Sequence, residues 1–142
     1  MTTQRILVVD DDDAIRALLQ TVLRRRGLQV DGARNGMDAL EQLGGRAYSL
    51  VVLDLMMPRM SGYELLDHLS RQSIMTRPRV LVLTAGLDTR MLPFDFGTDL
   101  VIGTVHKPFD IEMLVDIVTG YLSAPAPEEP QPSEALELTS PN

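Results

Sequence analysis

Short aliphatic runs alternate with amphipathic stretches along this chain. Arg5 to Asp10, Leu28 to Ala33, Leu50 to Asp54, Arg79 to Thr84 and Leu100 to Val105 are each too short for a helix and rich in aliphatic residues. Such runs suit strands, and three of them, with four consecutive aliphatics apiece, suit strands covered on both faces. Between them lie stretches of helical period. Ile15, Leu18, Leu19, Val22 and Leu23 fall at i, i+3, i+4, i+7, i+8, with Asp12 or Asp13 placed to cap the start and Gly27 just past the end. A short helix is expected over Gly36 to Leu43, closed by Gly44-Gly45, and another from about Tyr63 to Gln72, started by Ser61 or Gly62. A last helix runs over Ile111 to Leu122 behind Asp110. Only Ala85 to Gly97 resists the pattern: Gly86, Pro93, Gly97 and two phenylalanines spoil any clean period, so a short or irregular helix is expected there.

Strands alternating with helices imply an α/β fold, a parallel sheet with right-handed crossovers and helices on both faces. Chemistry in such sheets collects at the carboxyl ends of the strands. Three strands end on polar groups: the first on Asp10-Asp11-Asp12-Asp13, the third on Asp54, the fourth on Thr84. The fifth leads into His106-Lys107-Pro108-Phe109. An Asp after a strand most often serves the turn that comes next, so position alone leaves Asp54 open between turn and site.

The chain has 142 residues, room for one domain with a sizeable core. It has no cysteine, which rules out disulfides, thiolate metal sites and a Cys nucleophile. No apolar run approaches a membrane span, and the expected location is the cytoplasm. Residues 123–142 hold five of the nine prolines and Glu128, Glu129, Glu134 and Glu137, with no Lys or Arg. That composition cannot repay the entropy of ordering, so residues 1–122 are expected to form the domain and 123–142 a disordered Pro/Glu-rich tail. The net charge of −7 lies largely in that tail, and an acidic body without a basic face excludes nucleic acid as the expected partner. The one basic cluster, Arg24-Arg25-Arg26, sits where a helix ends and complements its dipole.

Parallel strands would gather Asp10, Asp11, Asp54, Thr84 and Lys107 in one shallow site. Carboxylates brought together without cations repel and shift their pKa values upward, so the arrangement invites a divalent metal. Mg²⁺ suits it, as a hard ion that takes one or two carboxylates and shares phosphate oxygens. A carboxylate in such a site can attack phosphorus and become an aspartyl phosphate, with an ammonium and a hydroxyl holding the phosphoryl oxygens. Lys107, the only lysine beside twelve arginines, supplies the compact ammonium.

Val9-Asp10-Asp11, Leu53-Asp54-Leu55-Met56-Met57-Pro58, Leu83-Thr84-Ala85 and Lys107-Pro108-Phe109, in that order, resemble the receiver domain of bacterial two-component response regulators. The resemblance covers about residues 4 to 122. It implies a flavodoxin-like three-layer sandwich with sheet order 2-1-3-4-5, and Mg²⁺ held by Asp10, Asp11, Asp54 and the carbonyl of Met56. It implies Asp54 as acceptor of a phosphoryl group from a histidine kinase or a histidine phosphotransfer protein, Thr84 and Lys107 as contacts of that group, and a cis Lys107-Pro108 peptide. The domain would be no enzyme in the ordinary sense, though it assists its own phosphorylation and dephosphorylation.

Departures from the family pattern bear on output. Thr104 stands where the family has a strand-five aromatic, and His106 replaces a small apolar residue. The aromatic part of the usual switch should therefore be weak, with the segment 85–99 and its Met91, Leu92, Phe94 and Phe96 read by a downstream protein instead. No output domain follows residue 122, so a stand-alone receiver is expected, monomeric or weakly dimeric through the face of the fourth helix, fifth strand and fifth helix. The alternative is a pseudo-receiver that binds partners without phosphorylation. A haloacid-dehalogenase-type phosphatase is disfavoured because the acid run lacks its hydroxyl residue, and a flavodoxin because four acids would repel flavin phosphate.

Overall fold

The computed structural model describes residues 4–85 and 99–123. In chain order the elements are β1 (Arg5–Val9), α1 (Asp13–Arg25), β2 (Gln29–Ala33), α2 (Gly36–Gly45), β3 (Leu50–Asp54), α3 (Gly62–Ser70), β4 (Arg79–Thr84), β5 (Val101–His106) and α4 (Ile111–Ser123). The five strands form one parallel sheet in the order β2-β1-β3-β4-β5, the order that the resemblance implied.

Each aliphatic run divides its side chains between two layers, because successive residues of a strand point to opposite faces. Leu7, Val9, Val51, Leu53, Val80 and Val82 pack with Ala39 of α2 and Leu65, Leu66 and Leu69 of α3. Ile6, Val8, Leu50, Val52, Leu81 and Leu83 pack on the other face with Leu19 and Leu23 of α1 and Leu114, Val115 and Val118 of α4. Full burial of such a side chain is worth about 1.5–3 kcal/mol, so the sheet's position between the two layers is strongly determined. β3 is buried at all five positions, which makes it the central strand of the core.

The helix ends follow the capping residues. The Asp12 carboxylate accepts from the amides of Ala14 and Ile15, Asn35 accepts from Asp38, and Ser61 accepts from Glu64. Several boundaries differ from expectation by a residue or two: α3 runs Gly62–Ser70 and stops short of Gln72, and β5 runs Val101–His106, one residue later than expected. α2 runs through Gly44 and Gly45 instead of closing on them, because the Arg46 amide still reaches the Gln42 carbonyl at 3.1 Å. α4 keeps Ser123, whose hydroxyl bonds to the Thr119 carbonyl. Gly27 stops α1 as expected, with φ of 84° in the left-handed region and its amide on the Arg24 carbonyl. β5 pairs with β4 through a register shift between Val80 and Leu81, where Ile102 is passed over. Most of the irregular stretch expected at 85–97, and the tail beyond Ser123, lie outside the described residues. No helix among the described residues is long and apolar enough to cross a membrane.

Candidate functional site

Register alone brings the strand ends together. Val9 lies beside Leu53, Asp54 beside Leu83 and Thr84 beside His106. The next residues of β1 and β5, Asp10 and Lys107, therefore meet Asp54 over the carboxyl edge of the sheet. The Lys107 Nζ lies 3.2 Å from Asp10 Oδ2 and 3.3 Å from Asp54 Oδ2, bridging two carboxylates that are almost fully buried. Carboxylate oxygens of Asp10, Asp11 and Asp54 come within 4.8 Å of one another, Asp11 on the exposed side. Thr84 is buried at the end of β4, and its carbonyl accepts from the Lys107 amide at 2.7 Å. The Lys107-Pro108 peptide is cis.

Backbone donors hold the acids in place. Asp10 Oδ1 accepts from the Asp12 amide at 2.9 Å, and Asp54 Oδ1 accepts from the Met56 amide at 3.1 Å. The Met56 side chain itself is half-exposed. Burial and the neighbouring Asp10 push the Asp54 carboxyl up to about 6, against the opposing pull of the Met56 amide and Lys107. Burial disfavours the Lys107 ammonium, yet Asp54 and Asp10 outweigh it and hold its pKa above the ordinary lysine range. The site thus concentrates negative charge around one ammonium, the setting in which hard oxygen donors bind a divalent cation.

Several supports were not legible from the sequence. Arg16 donates from Nη1 to the Asp10 carbonyl at 2.8 Å and from Nη2 to Asp13, bracing the acidic loop from α1. Its spacing three residues after Asp13 was the available signal. Gly62 lets α3 start against the site strand: a Cβ there would lie 2.6 Å from the Asp54 carbonyl oxygen and from Leu55 Cα. Gly36 likewise abuts Met60. Away from the site, the Asp31 carboxylate accepts from the Tyr48 hydroxyl at 2.7 Å and pairs with Arg5 and Arg46.

Comparisons with known proteins bear on the family and the fold. The family model described as response regulator receiver domain matches residues 6–119. Response regulator MprA of a Mycobacterium species (strain KMS) is 37% identical over 134 residues, which are 93% of this chain and 56% of MprA. The transcriptional regulatory protein CpxR homolog of Haemophilus influenzae is 37% identical over 83% of this chain and 50% of its own length. The chain spans about half the length of the curated relatives it matches. Among solved structures, the response regulator protein TrrA of Thermotoga maritima, crystallised in complex with Mg²⁺ and BeF, is 33% identical with a TM-score of 0.69, covering 83% of this chain and 98% of that one. A CheY-like receiver domain protein from Methanospirillum hungatei is 28% identical with a TM-score of 0.71, over 83% of this chain and 93% of that one.

Proposed function

On the premise that the chain belongs to the family of response regulator receiver domains, we propose that Asp54 is its phosphoacceptor, taking a phosphoryl group from a sensor histidine kinase or a histidine phosphotransfer protein. The observation that carries this reading is the bridge from Lys107 Nζ to both Asp10 and Asp54, at 3.2 and 3.3 Å, beside the third carboxylate of Asp11.

The three carboxylates fit a hard divalent cation, and Asp10, Asp11, Asp54 and the Met56 carbonyl are the residues that would hold Mg²⁺. When bound, the ion neutralises charge on the phosphoryl oxygens. The remaining chemistry belongs to the chain. An Asp54 oxygen forms the new bond to phosphorus as the bond from phosphorus to the donor's imidazole nitrogen breaks. Lys107 compensates charge on one phosphoryl oxygen, and the Thr84 hydroxyl donates to another. The Met56 amide keeps the attacking carboxylate oriented through its bond to Oδ1. Residues 1–122 act as the receiver unit, in the cytoplasm, and the phosphorylated state is read by a downstream protein.

Acetyl phosphate with Mg²⁺ should add one phosphoryl group, detected by intact mass spectrometry, and neither Asp54→Asn nor chelated wild type should gain it. Thr104, exposed on β5 where the family carries an aromatic, favours the second reading, an interaction module that works without phosphorylation. Equal labelling of Asp54→Asn, or labelling that ignores the chelator, would promote that reading.

A further inference from the structure

Arg16 breaks a local rule. It is the fourth residue of α1, close to the helix N-terminus, where the dipole favours acids over cations. A residue that contradicts local preference marks a place where another need has won. Its side chain is only 15% exposed, and both arms of the guanidinium are engaged: Nη1 donates to the Asp10 carbonyl at 2.8 Å and Nη2 donates to Asp13 Oδ1.

The run of acids from Asp10 to Asp13 is sorted by its partners. Asp10 takes Lys107 on Oδ2 and the Asp12 amide on Oδ1. Asp12 caps α1 through the amides of Ala14 and Ile15, and Asp13 pairs with Arg16. Asp11 has no hydrogen bond or ion pair among the described residues, and it stands exposed beside Asp10 and Asp54. With no donor on its carboxylate, Asp11 is aimed by its backbone. The peptide before it is held by Arg16 at the Asp10 carbonyl, and the peptide after it is held by Asp10 Oδ1 at the Asp12 amide. Both planar units that meet at the Asp11 Cα are therefore fixed, and the direction of its Cα–Cβ bond follows. β1 has ended at Val9, so no neighbouring strand takes over the first of these holds: among the described residues the donor to the Asp10 carbonyl is Arg16.

We propose that Arg16 is a positioning residue for the Mg²⁺ site: its guanidinium fork fixes the Asp10–Asp11 peptide and so aims the Asp11 carboxylate at the ion. The inference rests on the reading of Asp10, Asp11 and Asp54 as the carboxylates that hold Mg²⁺. The sign of the effect separates aim from charge. Arg16 is a cation near a cation site, so if charge alone mattered, neutralising it would tighten Mg²⁺ binding. If aim matters, the same substitution weakens binding. Lysine keeps the charge but lacks the planar fork that holds two acceptors at once, so it cannot replace arginine in this role.

Mg²⁺ alone is titrated into the full chain at about 0.15 M salt, followed by amide signals, with each variant held well below its own Tm. Arg16→Gln and Arg16→Lys should both weaken Mg²⁺ binding about tenfold, the scale on which residues that orient metal ligands act. Asp13→Asn removes a charge but leaves the arm on the Asp10 carbonyl, and should change the affinity by less than about threefold at that ionic strength. In metal-free protein the Asp11 amide signal should already move in both Arg16 variants, because its nitrogen belongs to the peptide that Arg16 holds. Tighter binding by Arg16→Gln, or wild-type affinity in Arg16→Lys, overturns the proposal. So does an Asp13→Asn variant that weakens binding as far as Arg16→Gln. Wild type that takes up no Mg²⁺ refutes the metal reading itself, whereas wild type that binds while the Arg16 variants match it refutes only the role of Arg16.

Discussion

Replacing Asp54 by Asn should make the metal-free domain more stable, although it removes the proposed acceptor. Asp54 is 3% exposed, and its carboxyl is pushed from 3.8 up to about 6, first by burial and then by Asp10. A tenfold change in a proton-binding constant corresponds to about 1.4 kcal/mol, so the ionised carboxylate costs the folded state roughly 3 kcal/mol at neutral pH. The amide of the Asp54→Asn variant would escape the charge but still need partners: the Met56 amide can keep its acceptor, while the contact with Lys107 is lost. Lys107 would remain paired with Asp10. The net gain should be about 1–2 kcal/mol, or about 4–8 °C in Tm for a domain of this size. Because its pKa is raised, the wild-type carboxyl favours the fold only while protonated. Its contribution is whole below about pH 3.8 and is lost as the pH rises through about 6. The advantage of Asp54→Asn is therefore absent near pH 3.8, grows up to about pH 6, and is constant above it. Urea and thermal denaturation in chelator, across that range, measure it. No gain at pH 8, or an equal gain at acid and neutral pH, would refute the reasoning.

Lys107→Ala should cost about 3 kcal/mol in the same assay at neutral pH, because it leaves two buried carboxylates without their shared ammonium. The loss should shrink on acidification, as Asp54 becomes protonated. Gly62→Ala should cost about 1–3 kcal/mol, since its Cβ meets backbone atoms that cannot yield; a change within about 0.5 kcal/mol would show that α3 can shift away from the site strand. Asp31→Asn should destabilise at neutral pH. Burial raises the Asp31 carboxyl, but Tyr48, Arg5 and Arg46 more than offset this and hold it below its usual value of 3.8. Its contribution is present above that value and is lost as the pH falls through the lowered pKa, so wild type and variant should converge in acid denaturation.

Short aliphatic segments, three of them with runs of four, and helical spacings of three and four were enough, on the sequence alone, to place five strands and four helices to within a few residues. Those periods are local consequences of backbone geometry. The carboxyl-edge placement of Asp10, Asp54, Thr84 and Lys107 followed from strands being parallel, which the alternation of elements already implied. Strand order was different: it came from resemblance, because no local period says which strand lies beside which. Helix ends were legible where a capping side chain or, at Gly27, a left-handed glycine announced them, but α2 ran past its glycines because Gln42 and Arg46 could still bond. The tertiary structure decided what depends on approach between distant segments. It set Lys107 against two acids at once, brought Arg16 under the Asp10 loop, and made glycine necessary at 62. It also decided the electrostatics: composition shows how many acids a chain has, whereas the raised pKa of Asp54 arises from its burial beside Asp10, a pairing of residues 44 positions apart that exists only once β1 and β3 lie side by side.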